Sequence, residues 1–281
     1  MPKDKKMWDN ILTVIMSLLC LLWIYPIVLI LLNSLKMEGT FTTSTVFKLP
    51  TAETFAGLSN YIYGVTKMGF LSSLGYSLVI TVSSVALILL CCSMTGWYLT
   101  RVNNKLSKFM NLLIVFSMVV PFQMVMFTLS KTADTLKLNT PWNICIIYLG
   151  FGAGLAVFMF TGFMKSVPME IEEAAMIDGC GPFRILTSII IPMCKPGIVT
   201  VCMISAMAAW NEYPVALVMV TDPTKATLPV GLANLYEIQR YATDWGALFA
   251  ALVLALIPTV ILFVVGQKQL VQGLSVGGVK G

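Results

Sequence analysis

Uncharged apolar runs of twenty or more residues recur along this chain, and nothing else constrains its fold as strongly. Ile11 to Leu32 passes 22 residues without a charged side chain, and Met68 to Thr100 passes 33. A helix needs about 20 such residues to cross the hydrocarbon core of a bilayer. In lipid, every backbone N–H and C=O must be satisfied within the segment, which a helix achieves. The pattern therefore predicts an all-α membrane protein of six transmembrane helices, at about 11–33, 78–98, 109–130, 141–164, 196–221 and 245–267, forming one domain over 1–281. Only 11% of residues are charged, against roughly 25% in soluble domains, and the mean hydropathy is +0.87.

Detail within the runs refines this reading. The Ser/Gly-rich start of the second run reads as a surface or re-entrant entry. Pro121 predicts a kink in the third span, and Pro258 sits centrally in the sixth. Gly150, Gly152 and Gly154 give the fourth span a small-residue face for close helix packing. The lysines before Ile11 imitate a signal peptide, but the apolar run is too long and no cleavage site follows, so it is expected to be a retained span.

Several function classes are disfavoured. There is no histidine, the commonest general base and metal ligand, and the seven cysteines show no C-x-x-C spacing. Free thiols are expected, with neither a disulfide framework nor a metal site. The net charge of +5 comes without a basic patch interleaved with aromatics, so it reads as loop topology rather than nucleic-acid binding.

One polar interruption, 165–195, organises the second half. It holds Glu170, Glu172, Glu173 and Asp178, four of the thirteen acidic residues. Carboxylates in a first turn after Pro168 suit the positive end of a helix dipole. Gly179 is placed as a left-handed stop, Pro182 opens a second helix and Pro192 closes it. The first helix, about ten residues and ~15 Å long, is too short to span a bilayer or to stand alone. Ile171, Ala174, Ala175 and Asp178 share one face. This helix either packs on its own bundle or docks on another protein.

The residues Glu173-Ala174-Ala175, Asp178-Gly179, Pro192 and Pro196 resemble the EAA loop of ABC-importer permease subunits. Cys180 stands where that family usually has alanine, a small residue for a small one. The resemblance implies a type I importer bundle whose loop supplies a coupling helix seated on an ATPase subunit. Glu172, Glu173, Ala174, Ala175, Asp178, Gly179 and Pro192 would carry the coupling, with Glu173 as polar anchor, Ala174 and Ala175 as contact face and Gly179 as hinge.

Three further stretches bear on function. The tail Gly277, Gly278, Val279, Lys280 and Gly281 lacks the G-x-x-x-x-G-K-[ST] spacing of a phosphate loop. It is instead similar to the tail of maltose-type carbohydrate permeases, which reaches between two ATPase subunits; a frayed terminus is the competing reading. Trp210, Asn211, Glu212 and Tyr213 lie in the fifth span, whose only charged residue is Glu212. An intramembrane acid is expensive and faces a partner or a wet cavity, so these residues, with Gln123 beside Pro121, are candidates for a translocation pathway. A Glu212 bonded within the bundle or at the outer headgroups fits equally, and for Gln123 an amide satisfied between helices fits better. Thr227, Leu228, Pro229, Val230 and Gly231 resemble the maltose-type outer loop that projects toward the external binding protein, and a plain surface loop fits as well.

Charge sets the expected orientation. If both termini lie on one side, that side carries 11 Lys/Arg in 63 loop and tail residues, against 7 in 62 on the other. This places both termini and the 165–195 loop in the cytosol. The resemblance then implies a non-enzymatic permease subunit of a bacterial cell membrane sugar importer, with a second permease, two ATPase subunits holding ATP and magnesium, and an extracytoplasmic sugar-binding protein. The chain itself would bind no cofactor. The alternatives are an ABC permease for a non-sugar solute, or a secondary sugar transporter. The latter needs paired repeats and coupling-ion acids, which six spans and a lone intramembrane acid do not supply.

Overall fold

The computed structural model describes residues 3–43, 45–67, 69–242 and 244–278. In chain order, the helices are α1 (Lys3–Ser34), α2 (Thr40–Thr43), α3 (Ser59–Lys67), α4 (Phe70–Arg101), α5 (Lys105–Phe116), α6 (Phe122–Thr135) and α7 (Ile144–Met164). They continue as α8 (Met169–Ile177), α9 (Pro182–Ile185), a π-helical turn Leu186–Ile190, α10 (Ile191–Met193), α11 (Lys195–Trp210), α12 (Pro214–Met219), α13 (Leu228–Ala242) and α14 (Trp245–Gly278). Among the described residues there is no strand, only an isolated bridge between Lys36 and Phe55.

Four helical stretches are long and apolar enough to cross a membrane: Met7–Ser34, Phe70–Arg101, Ile144–Met164 and Trp245–Lys268. A fifth candidate is broken. Pro182–Met193 and Lys195–Trp210 meet at 85°. The expected third span, 109–130, is not one helix with a kink. It is interrupted between Phe116 and Phe122, because Pro121 has no N–H to donate and sits extended at φ −67°, ψ 142°. The fifth span is likewise cut after Trp210, where Pro214 restarts the chain as the first residue of α12. The helix opened by Pro182 ends one residue past Pro192, at the 85° bend. The helical run passes through Pro192 to Met193, and the preceding turn widens so that the Ile191 N–H reaches back five residues to Leu186.

The chain divides into two compact units, 1–71 with 231–257 and 72–230 with 258–281. In the first, α1 is apolar all round and exposes its span, as expected of a helix solvated by lipid. The segment after it is pinned by polar contacts. Asn60 Nδ2 donates to the carbonyls of Ser34 and Lys36 at 2.8 Å each, and Gly246 leaves room for that amide. The buried Lys36 ammonium donates to Asn33 Oδ1 at 2.8 Å, and burial pushes its pKa down.

The second unit is built on α4 and α7. Lipid tails are as apolar as the side chains, so close packing, not burial from water, holds such helices together. A methyl added to Gly96 would come within 2.7 Å of Phe160 Cβ, and one added to Gly152 within 2.7 Å of Ile88 Cδ1. Gly197 in turn lets α11 lie against the Phe163 ring. The resulting core runs from Ile88 and Cys92 through Val157, Phe160 and Met164 to Ala175 of α8.

Candidate functional site

The short helix α8 has a defined start and stop. Pro168, at φ −58°, ψ 141°, is its N-cap, one position earlier than expected, and Glu170 and Glu172 fill the first turn. At the other end Gly179 adopts φ +80°. The Gly179 N–H donates to Met176 O at 3.0 Å and the Cys180 N–H to Ala175 O at 2.9 Å, the paired closure of a Schellman stop. The short-range punctuation in the sequence is therefore realised.

The inward face of α8 differs from the expected one. Glu172 is 3% exposed. Its Oε1 accepts from Arg101 Nε at 2.7 Å and also pairs with Nη2, while Oε2 accepts from Trp97 Nε1 at 2.9 Å. Arg101 Nη2 further donates to the carbonyls of Val167 at 2.9 Å and Met164 at 3.3 Å. Removing one partner of such a pair strands a buried charge, at a cost of about 3–5 kcal/mol. Ala175 is also buried, in the core cluster with Ile185 and Cys194. Neither Glu172 nor Ala175 is on an outward contact face, because the Arg101 fork and the core turn that side of α8 inward. Glu173, Ala174, Met176 and Asp178 are exposed, Ile177 is 87% exposed, and Phe183 of α9 is exposed as well.

A cavity of about 170 Å³ lies between α4, α7, α11 and α12. Its wall is largely apolar, with Ile88, Phe151, Leu155 and Val201, and its polar groups are Tyr148, Ser205 and Glu212. Tyr148 is 6% exposed and its hydroxyl has no hydrogen-bond partner among the described residues. Glu212 is half-buried and accepts the Val215 N–H at 2.8 Å, at the start of α12. Of the pathway candidates, only Glu212 lines this cavity. Trp210 packs inside the bundle at 8% exposure, Asn211 returns its amide to Met207 O at 2.8 Å, and Tyr213 and Gln123 are exposed away from it.

The 227–231 segment is not a projecting loop. Thr227, Leu228 and Val230 are buried, Leu228 begins α13, and its N–H donates to Ser77 Oγ at 2.7 Å. Val230 packs with Ala216 and Ala226, so the apolar side chains turn the segment inward. Pro229 and Gly231 are half-buried. At the C-terminus, Gly277 and Gly278 end α14, while Val279, Lys280 and Gly281 lie outside the described residues. All seven cysteines are free thiols. Among the described residues, no three metal-ligating carboxylates or thiols converge.

Residues 88–276 match the family described as binding-protein-dependent transport system inner membrane component. The chain belongs to this family. The matched stretch contains α8, the Arg101 fork and the cavity wall from Ile88 to Val215. The chain is thus a multi-pass membrane permease subunit of a transport system, and not an enzyme. Among its relatives, the probable starch degradation products transport system permease protein AmyC of Thermoanaerobacterium thermosulfurigenes is 34% identical over 270 residues, 96% of each chain. The melibiose/raffinose/stachyose import permease protein MelC of Bacillus subtilis is 30% identical over 274 residues, 97% of each. A chain of a bacterial ABC transporter involved in the import of the acidic polysaccharide alginate shares the fold, with a TM-score of 0.80 at 23% identity, over 95% of this chain and 98% of that one.

As a permease of this family, the chain holds functional candidates that sequence reading missed: Arg101, Trp97, Tyr148 and Ser205. Arg101 carried a signal, as the first charge after the 33-residue uncharged run. Tyr148 and Ser205 carried none, since either residue is ordinary within a packed span.

Proposed function

We propose that this permease forms half of the translocation pore of an ATP-driven, binding-protein-dependent carbohydrate importer, with an oligosaccharide as its cargo. The observation that carries this reading is the near full-length similarity to two permeases whose names specify oligosaccharides or starch degradation products. The 281 residues act as one permease domain, with both termini and α8 on the cytosolic side, as the Lys/Arg bias favours. A second, different permease subunit completes the pore. Two ATPase subunits hold ATP and magnesium, and this chain binds neither. A solute-binding protein delivers the sugar from outside.

In this reading α8 is the coupling helix. Its docking face is Glu173, Ala174, Met176 and Ile177, whose exposure suits a partner that covers both an anion and an apolar patch. Gly179 fixes the helix end. Gly277 to Gly281 extend toward the ATPase pair. The cavity is a stretch of the pathway, where Tyr148, Ser205 and Glu212 offer hydrogen bonds to sugar hydroxyls and Phe151 offers a flat apolar face.

Co-purification tests the assembly. The tagged subunit, gently solubilised from its native cell, is expected to bring an ATPase, a second multi-span permease and a solute-binding protein. Recovery of the subunit without any ATPase under conditions that preserve other membrane complexes overturns the proposal.

A further inference from the structure

We propose that Glu172, Arg101 and Trp97 form a latch that makes α4 the lever of this permease, carrying displacement of α8 to the cavity wall. The inference rests on reading α8 as the coupling helix. Glu172 is then a positioning residue and does not itself meet the ATPase, since both its carboxylate oxygens are used inside the chain.

The covalent connections of α8 are pliant at one end and short at the other. On one side it leaves through Gly179, at φ +80°, and Gly181, which precedes Pro182. Two glycines in three residues let a nine-residue helix pivot. On the other side it is joined to α7 by the four residues 165–168. A push on α8 transmitted by the backbone alone would be absorbed in these joints.

The side-chain junction removes that freedom. Arg101 is the last residue of α4. Its fork grips Glu172 of α8 and, through Nη2, the carbonyls of Met164 and Val167, which end α7 and lead into α8. Trp97, one turn back on α4, fixes the other carboxylate oxygen. One guanidinium thus ties together α4, the end of α7 and α8, in a setting where Glu172 is 3% exposed. A planar, bidentate donor holds orientation as well as distance.

From Arg101, α4 runs without a break to Ile88, thirteen residues or ~20 Å away. Ile88 both lines the cavity and fills the notch at Gly152 of α7. A tilt of α8 therefore moves a wall of the cavity as one body with α4.

The test uses the whole importer in proteoliposomes, with Ala208→Cys in the cavity wall as a reporter that needs no known cargo. Labelling by a membrane-impermeant maleimide is followed with and without ATP, by mass spectrometry of the peptide holding residue 208. In the parent, ATP is expected to change the labelling rate about tenfold, as for a switch between two discrete states. Glu172→Gln is expected to keep the ATPase bound and hydrolysing while the ATP response falls to about twofold or less. Arg101→Lys, which keeps the charge but loses the fork, should do the same and carries the test if Glu172→Gln does not assemble. The charge-swapped pair Glu172→Arg with Arg101→Glu should recover part of the response. A parental ATP response in either assembled single variant overturns the latch. Ile177→Asp separates the two levels: if it leaves ATPase binding at the parental level, the coupling-helix reading fails; if it releases the ATPase while Glu172→Gln responds normally, only the latch fails.

Discussion

At the scale of single residues, adjacent glutamates in α8 have opposite fates. Glu172 is enclosed by Arg101 and Trp97, while Glu173 is exposed. The sequence distinguishes them poorly. Which face of a nine-residue helix turns inward is decided by a guanidinium 71 positions away, and no local periodicity reports that. Gly179 is different. Its role was legible because a left-handed stop is a property of the backbone itself, and φ +80° is what it adopts. Gly179→Ala is expected to weaken the end of α8 by about 1–2 kcal/mol. Amide exchange at Gly179 and Cys180 should accelerate, and Gly179→Asn should cost less.

Tyr148 offers a second residue-scale prediction. A buried hydroxyl with no partner costs about 1–3 kcal/mol, so Tyr148→Phe is expected to raise the thermal stability of the purified subunit. If the hydroxyl waits for cargo, the same variant should slow uptake. Greater stability with unchanged uptake would remove Tyr148 from the pathway.

At the scale of elements, a proline in a span does not by itself say whether the helix bends, breaks or continues: Pro258 lies inside the unbroken α14. Pro121 separates α5 from α6 rather than bending one helix, and Pro214 restarts the chain after Trp210. Pro192 sits within a helical run because the π-helical turn before it shifts the hydrogen-bond register. These outcomes depend on whether neighbouring backbone groups find other partners, which tertiary packing sets. The segment at 227–231 shows the same limit. Its residues resemble an outer loop, yet Leu228 and Val230 are drawn into packing and the chain is helical from Leu228. For α8 as an element, the exposed apolar edge makes a direct prediction. Ile177→Asp should cut the ATPase recovered with the permease by about tenfold, equivalent to ~1.4 kcal/mol, while Ala175→Leu should disturb folding instead, because Ala175 is buried in the core.

At the scale of the whole molecule, hydropathy sufficed for the class. The apolar runs identified an all-α membrane chain, and four helices are long and apolar enough to cross outright. One break adjoins a polar group inside the bundle: the cavity with Glu212 lies beside the gap between α11 and α12. Irregular backbone at membrane depth is tolerated where it is buried in protein or lines a cavity.

The most direct test of the account is uptake by the complete importer in proteoliposomes, using a labelled oligosaccharide held by its co-purified binding protein. ATP and the binding protein are supplied together, singly or not at all. Uptake is expected only when both are present. Uptake by this chain alone, without ATP, would contradict it and favour a secondary transporter.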